Sequence, residues 1–128
     1  MAIVNDLLLI DDSNALRRVL AKYISNKFQC NVLEATDGKE GLEKVFNSEN
    51  DIQLILCDLM MPIMDGFTFI RQIKLEEKYN LIPIICLTAK SDKKTVTTCI
   101  KLGAIDFIVK PYDLASVAEK INKFISKK

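Results

Sequence analysis

DIQLILCDLMMPIMDG, residues 51–66, decides the fold. An apolar run from Ile52 to Cys57 ends in one carboxylate, Asp58, and a Met-Met-Pro-Ile-Met-Asp-Gly loop follows. Four to six apolar residues, here interrupted only by Gln53, suit a strand buried on both faces, as in a parallel sheet. A carboxylate closing such a strand has no packing role to play. In open α/β sheets, ligands bind beyond the carboxyl ends of the strands. Asp58 is therefore the first candidate for the working group of the protein.

Working outward, the same pattern recurs. Asp6–Ile10 (DLLLI) is a short apolar run that ends at Asp11-Asp12. Cys30–Ala35, Ile82–Leu87 and Ala104–Val109 read as further strands, the last two closing at Thr88 and at Lys110-Pro111. Pro83 fits near the start of its strand, where a missing N–H is tolerated. Between the strands lie helical patterns. Leu16, Val19, Leu20, Tyr23 and Ile24 recur at helical spacing after a Ser13 or Asn14 cap. Leu42, Val45 and Phe46 follow the Asp37-Gly38 turn, although Gly41 is a poor helix former. Phe67, Phe69, Ile70 and Ile73 mark a third helix. A fourth runs from Ser91 or Asp92 to about Leu102, with Gly103 as its stop. A fifth, capped by Asp113, presents Leu114, Val117, Ala118, Ile121, Phe124 and Ile125 on one face. Alternating strands and helices imply an α/β fold, with a parallel sheet covered on both faces and right-handed crossovers. The fourth helix is rich in β-branched residues (Thr95, Val96, Thr97, Thr98, Ile100), which lose rotamer freedom in a helix. Tertiary packing overriding a weak local preference explains that; a helix poised to shift is the sharper alternative.

The 128 residues suit one domain, residues 1–128, with no linker or low-complexity stretch. Hydrophobic residues make up 49% and charged residues 27%, a globular balance, and a formal net charge of +1 argues against a nucleic-acid or anionic-membrane footprint. No apolar run is long enough to span a bilayer, and no signal-peptide pattern opens the chain. Cys30, Cys57, Cys86 and Cys99 form no C-x-x-C pair and read as buried thiols of a reducing, cytoplasmic compartment. Histidine is absent, which excludes Ser-His-Asp triads and His-ligated zinc.

The strand ends carry the chemistry. In a parallel sheet Asp11, Asp12, Asp58, Thr88 and Lys110 converge on one edge. Taken singly, the two N-terminal acids read as helix-dipole partners, Thr88 as a cap and Lys110 as a surface lysine. Together they form a site. Three adjacent carboxylates repel one another, and a divalent cation relieves the repulsion. Mg²⁺ takes hard oxygen ligands and is held by one or two carboxylates plus phosphate oxygens. With a lysine ammonium and a threonine hydroxyl alongside, the set suits a phosphoryl group attacked by a carboxylate to give an aspartyl phosphate.

LLLIDDS (Leu7–Ser13), LILCDLMMPIMDG (Leu54–Gly66), IICLTAK (Ile84–Lys90) and GAIDFIVKP (Gly103–Pro111), in this order and spacing, resemble the receiver domains of two-component response regulators, the chemotaxis type included. The resemblance spans essentially the whole chain. It implies a flavodoxin-like doubly wound sheet of five strands in the order 2-1-3-4-5, with five helices on its two faces. It implies that Asp58 is the phosphoacceptor, that Asp12, Asp58 and the backbone carbonyl of Met60 ligate Mg²⁺, and that Asp11 acts through a metal-bound water. Lys110 would pair with Asp58 and then with the phosphoryl group, Thr88 would hydrogen-bond that group, and Lys110-Pro111 would be a cis peptide. Thr88 and Phe107 would form the switch, remodelling the surface of the fourth helix, fifth strand and fifth helix for a downstream protein. Many members have tyrosine at the Phe107 position; phenylalanine keeps the ring without the hydroxyl. The phosphoryl donor would be a histidine kinase or a histidine phosphotransfer protein, since this chain has no histidine.

Such a protein is a phosphorylated switch in phosphorelay signalling rather than an enzyme with a separate substrate. The competing enzyme is an aspartate-nucleophile phosphatase of the haloacid dehalogenase type. It needs a second acid two residues after the nucleophile, where this chain has Met60. A flavodoxin would need a Ser/Thr-rich phosphate loop in place of Asp11-Asp12-Ser13, and a P-loop hydrolase is excluded for lack of its motif. Met60 and Lys90 occupy the family's variable positions, which tune phosphoryl lifetime and resemble those of some DNA-binding regulators. Ile105-Asp106 replaces the acidic pair those regulators carry. A stand-alone regulator is the expectation, with a receiver cut from a longer DNA-binding or enzymatic regulator as the alternative.

Overall fold

The computed structural model describes residues 6–89 and 92–125. Strands and helices alternate: β1 (Asp6–Ile10), α1 (Asn14–Phe28), β2 (Asn31–Ala35), α2 (Gly38–Phe46), β3 (Ile52–Asp58), α3 (Gly66–Lys74), β4 (Ile84–Thr88), α4 (Lys93–Leu102), β5 (Asp106–Val109) and α5 (Leu114–Asn122). The strands form one parallel sheet in the order β2-β1-β3-β4-β5, as the resemblance implied. The longest strand, β3, lies at its centre between β1 and β4.

Alternation along the strands splits the core in two. Leu7, Leu9, Leu54, Leu56, Ile85, Leu87 and Ile108 meet Leu20, Ile24, Val117 and Ile121 of α1 and α5. Leu8, Ile10, Ile55, Cys57, Ile84 and Cys86 meet Val45, Phe69, Ile70, Ile73 and Cys99 of α2, α3 and α4. Both faces of the central strands are covered, which is why they read as unbroken apolar runs.

Every helix starts on a side-chain cap: Ser13, Asp37, Asp65, Asp92 and Asp113 each accept a hydrogen bond from a backbone N–H of the first turn. Asp92 is the cap of α4, while Ser91 and Lys90 lie outside the described residues. Gly103 ends α4 at φ 121°, a conformation that favours glycine. The α4 helix fully buries only Cys99, so it is attached through few apolar contacts. Three strands start later than their apolar runs: Cys30, Ile82-Pro83 and Ala104-Ile105 precede β2, β4 and β5. The edges still connect, because Ile55 N–H donates to the Pro83 carbonyl and Ile105 N–H to the Ile84 carbonyl.

The face of α1 departs from expectation. Leu16 and Val19 were expected in the core and are instead 48% and 58% exposed. The stripe turned to the sheet is Arg17, Leu20, Ala21, Ile24 and Phe28, with Tyr23 partly buried beside it. The helix is rotated towards Arg17, whose side chain has one buried and one half-buried partner. Gly41 also has a reason: a Cβ there would lie 2.6 Å from Ile10 Cδ1 and 3.1 Å from Phe69 Cε1, so α2 packs closely over β1 and α3.

Gly66 sets the path of the loop after β3. Its N–H donates to the Leu59 carbonyl at 2.9 Å, and a Cβ would run into the Asp58 carbonyl oxygen and lie 2.9 Å from Leu59 Cα. The obstacles are backbone atoms with no rotamer to change. We expect Gly66→Ala to destabilise the fold by roughly 1–3 kcal/mol, read as a lower urea midpoint with unchanged slope. A midpoint equal to that of the parent would show that the loop can move away.

Candidate functional site

Parallel registry brings the candidate residues to one edge. Ile10 is paired with Cys57, Asp58 with Leu87 and Thr88 with Val109, so the residues that follow β1 and β5 flank the ends of β3 and β4. Asp11 N–H donates to the Ala35 carbonyl, and Lys110 N–H to the Thr88 carbonyl, each extending the sheet by one residue. The peptide between Lys110 and Pro111 is cis.

At this edge carboxylate oxygens of Asp11, Asp12 and Asp58 all lie within 4.8 Å of one another. Lys110 Nζ sits 3.1 Å from Asp58 Oδ2 and 3.1 Å from Asp11 Oδ2. Asp11 is fully buried, and its Oδ1 accepts a hydrogen bond from Ser13 N–H at 2.9 Å. Asp58 is 5% exposed, and Asp12 is exposed at the rim. Among the described residues one ammonium thus faces three carboxylates, an excess of negative charge in a mostly buried place. Burial pushes the Asp58 carboxyl up to about 6; Lys110 opposes the shift, while Asp11 and Asp12 add to it. Burial works against the Lys110 charge, but Asp58 and Asp11 hold its pKa above the ordinary lysine value.

The donor set is chemically narrow. The clustered ligand atoms are all carboxylate oxygens. The nearest thiol, Cys57, is buried and held well above its ordinary pKa, by burial first and then by Asp58, so it stays protonated. Hard oxygens with an excess of negative charge fit Mg²⁺ and do not fit a soft metal.

Around this centre, Thr88 is 2% exposed at the end of β4. Phe107 is paired with Cys86 across β4–β5 and packs partly buried against the α3–α4 side of the core. Lys120 Nζ lies 5.5 Å from the centre of its ring and bridges to Asp106 at 3.0 Å. Met60 is exposed in the loop after Asp58. Ile63, further along that loop, is 80% exposed at φ 68°, with Met64 N–H donating across it to the Pro62 carbonyl at 2.7 Å. That is a tight three-residue turn in a conformation costly for a β-branched residue.

Sequence reasoning missed Arg17. Its guanidinium is buried behind the acids, donating from Nε to Glu34 Oε1 at 2.9 Å and from a terminal nitrogen to the Asp11 carbonyl at 2.8 Å. The available signal was a charged residue in register with Leu20, Ala21 and Ile24, one turn after the Ser13 cap.

A family model for the response regulator receiver domain matches residues 7–122. A chemotaxis protein CheY homolog of Campylobacter jejuni is 33% identical over 115 residues, covering 90% of this chain and 88% of that protein. The chemotaxis protein CheY1 of Helicobacter pylori is also 33% identical, covering 90% of this chain and 92% of its own length. Among solved structures, CheY4 of Vibrio cholerae superposes with a TM-score of 0.86 at 25% identity, over 94% of this chain and 98% of that one. A Borrelia burgdorferi CheX-CheY-BeF3-Mg complex aligns with a TM-score of 0.84 at 30% identity, over 93% and 87% of the two chains. With an acidic cluster at the carboxyl edge of a 2-1-3-4-5 sheet and these relatives along nearly its whole length, the chain belongs to the response regulator receiver domain family, of the chemotaxis type.

Proposed function

We propose that Asp58 accepts a phosphoryl group from a phosphohistidine on a partner kinase or phosphotransfer protein, in a Mg²⁺-dependent reaction. The observation that carries this reading is Lys110 held between Asp58 and Asp11, with the three carboxylates in reach of one another. An Asp58 oxygen attacks phosphorus, the P–N bond breaks, and its electron pair leaves on the imidazole nitrogen. Lys110 then turns from the carboxylate to the phosphoryl oxygens, and the Thr88 hydroxyl hydrogen-bonds the same group. Both oxygens of Asp11 already have partners, Ser13 and Lys110. As the family resemblance implies, Asp12 and Asp58, with the Met60 carbonyl, would hold the cation and Asp11 would reach it through water; the partners Asp11 already has support that division. Bound Mg²⁺ would draw negative charge from the phosphoryl oxygens.

The output is a change of surface. Thr88 moving towards the phosphoryl group vacates space that the Phe107 ring can enter, and α4, held by little apolar burial, follows. The face of α4, β5 and α5 then meets a downstream protein; the Borrelia relative is found in complex with CheX. No separate substrate is turned over, because Met60 offers no proton where a phosphatase needs an acid. No described helix is long and apolar enough to cross a membrane, consistent with a cytoplasmic switch.

Three outcomes test this reading. Incubation with acetyl phosphate and Mg²⁺ should add one phosphoryl mass to the intact protein, and Asp58→Asn should remove that gain entirely; persistent labelling of the variant would move the acceptor elsewhere. Asp12→Ala should weaken Mg²⁺ binding at least about tenfold by titration calorimetry, with phosphorylation lost in parallel. The third outcome concerns pH. The folded carboxyl of Asp58 keeps its proton to about pH 6, above its ordinary value of 3.8. The folded state therefore binds more protons than the unfolded state in that window, and this group's stabilising contribution falls as pH rises through it. In chelator, Asp58→Asn should match the parent near pH 4 and exceed it by roughly 1–3 kcal/mol at pH 7.5; thermal melts at the two pH values give the comparison.

A further inference from the structure

Arg17 occupies a core-facing position of α1 where a leucine would satisfy the helix pattern. Its side chain is 8% exposed, and its ion-pair partner Glu34, on β2, is 30% exposed. A buried pair of this kind gives weak net stability, since desolvation offsets the attraction. The position calls for a reason other than packing, and the hydrogen bonds supply one. Asp11 N–H is tied to β2 through the Ala35 carbonyl, while the Asp11 carbonyl is tied to β2 through Arg17 and Glu34. Both polar groups of the Asp11 backbone are thus anchored on the same edge strand.

The Asp11 carbonyl belongs to the peptide plane that precedes Asp12. Peptide planes are rigid, so fixing that oxygen fixes the Asp12 Cα, and Ser13 N–H held on Asp11 Oδ1 restrains the peptide that follows; with the planes on both sides of Asp12 held, the direction in which its side chain leaves the backbone is set. Asp12 is exposed, so its carboxylate has little packing to orient it. Asp11 is held further by Ser13 and Lys110. The neighbouring Arg18 is 75% exposed, and its Nε is 3.7 Å from Glu34, too loose a contact to substitute.

We infer that Arg17 is a positioning residue, which clamps the Asp11–Asp12 peptide to β2 and so presets the exposed Asp12 carboxylate for a divalent cation. The inference rests on the proposed role of Asp12 as a ligand. It gives β2, an edge strand that contributes no ligand, a part in cation affinity.

The test is Mg²⁺ titration calorimetry on the full chain, with thermal melts of the same samples. Arg17→Met should weaken Mg²⁺ binding about tenfold, the scale seen when groups that orient metal ligands are lost, and should also lower the melting temperature, because Glu34 and the Asp11 carbonyl lose their donor. Glu34→Gln keeps an oxygen for Arg17 Nε and should bind as the parent does, showing that geometry rather than the Glu34 charge is at work. If Arg17→Met alone fails to fold, the double change Arg17→Met with Glu34→Leu removes the pair together and decides the matter. A folded Arg17 variant that binds Mg²⁺ with parental affinity overturns the inference, as does one that shifts only the melting temperature. A parent chain that binds no Mg²⁺ overturns the proposed function itself, so the two failures are distinguishable.

Discussion

Like charges held together against their repulsion are the constraint on which this structure turns. Asp11 and Asp58 are buried at the edge of the sheet, Asp12 stands beside them, and a single ammonium from Lys110 sits between the two buried acids. No local segment could assemble such a set, because its members come from the ends of β1, β3 and β5, far apart in the chain. The parallel sheet does it by aligning strand ends. The apolar layers on both faces supply the stability against which the charged edge is held. The repulsion is concentrated in the charge state that a divalent cation would relieve, and that makes the site responsive to a cation.

Much of this was legible in the residues. The unbroken apolar runs gave the strands because burial on both faces leaves no polar alternation to preserve. Asp58 stands out because nothing in the run Leu54–Cys57 requires a carboxylate at its end. The strand order came from resemblance, since periodicity is blind to which strands are neighbours. Strand starts at Cys30, Ile82 and Ala104 were misplaced by one to two residues because apolar side chains can pack before the backbone ladder begins.

The larger miss was in α1. Leu16 and Val19 fit the apolar pattern, and the fold turns them outward while Arg17 turns inward to the buried Asp11 carbonyl just after β1 and to the half-buried Glu34 on β2. Hydrophobic periodicity assumes that a helix faces its core with apolar atoms alone. It fails where a polar group is needed beneath a site, and long side chains such as arginine carry enough methylene to hide the substitution. The α4–β5 side shows the complementary lesson. Its β-branched content was visible in the sequence, but its sparse burial and the Lys120 ammonium near the Phe107 ring were not.

The approach of Gly66 to the backbone of Asp58 has a consequence for how such a chain diversifies. The seven residues from Leu59 to Asp65 leave β3 and must return to touch its last residue. The span behaves as a ruler of fixed length: insertion or deletion would drag Asp58 out of line with Lys110, whereas the outward side chains of Met60 and Ile63 are free to vary. Diversity in this loop is therefore reached by substitution at constant length, and grafting a loop of different size is the wrong route for an engineer to take.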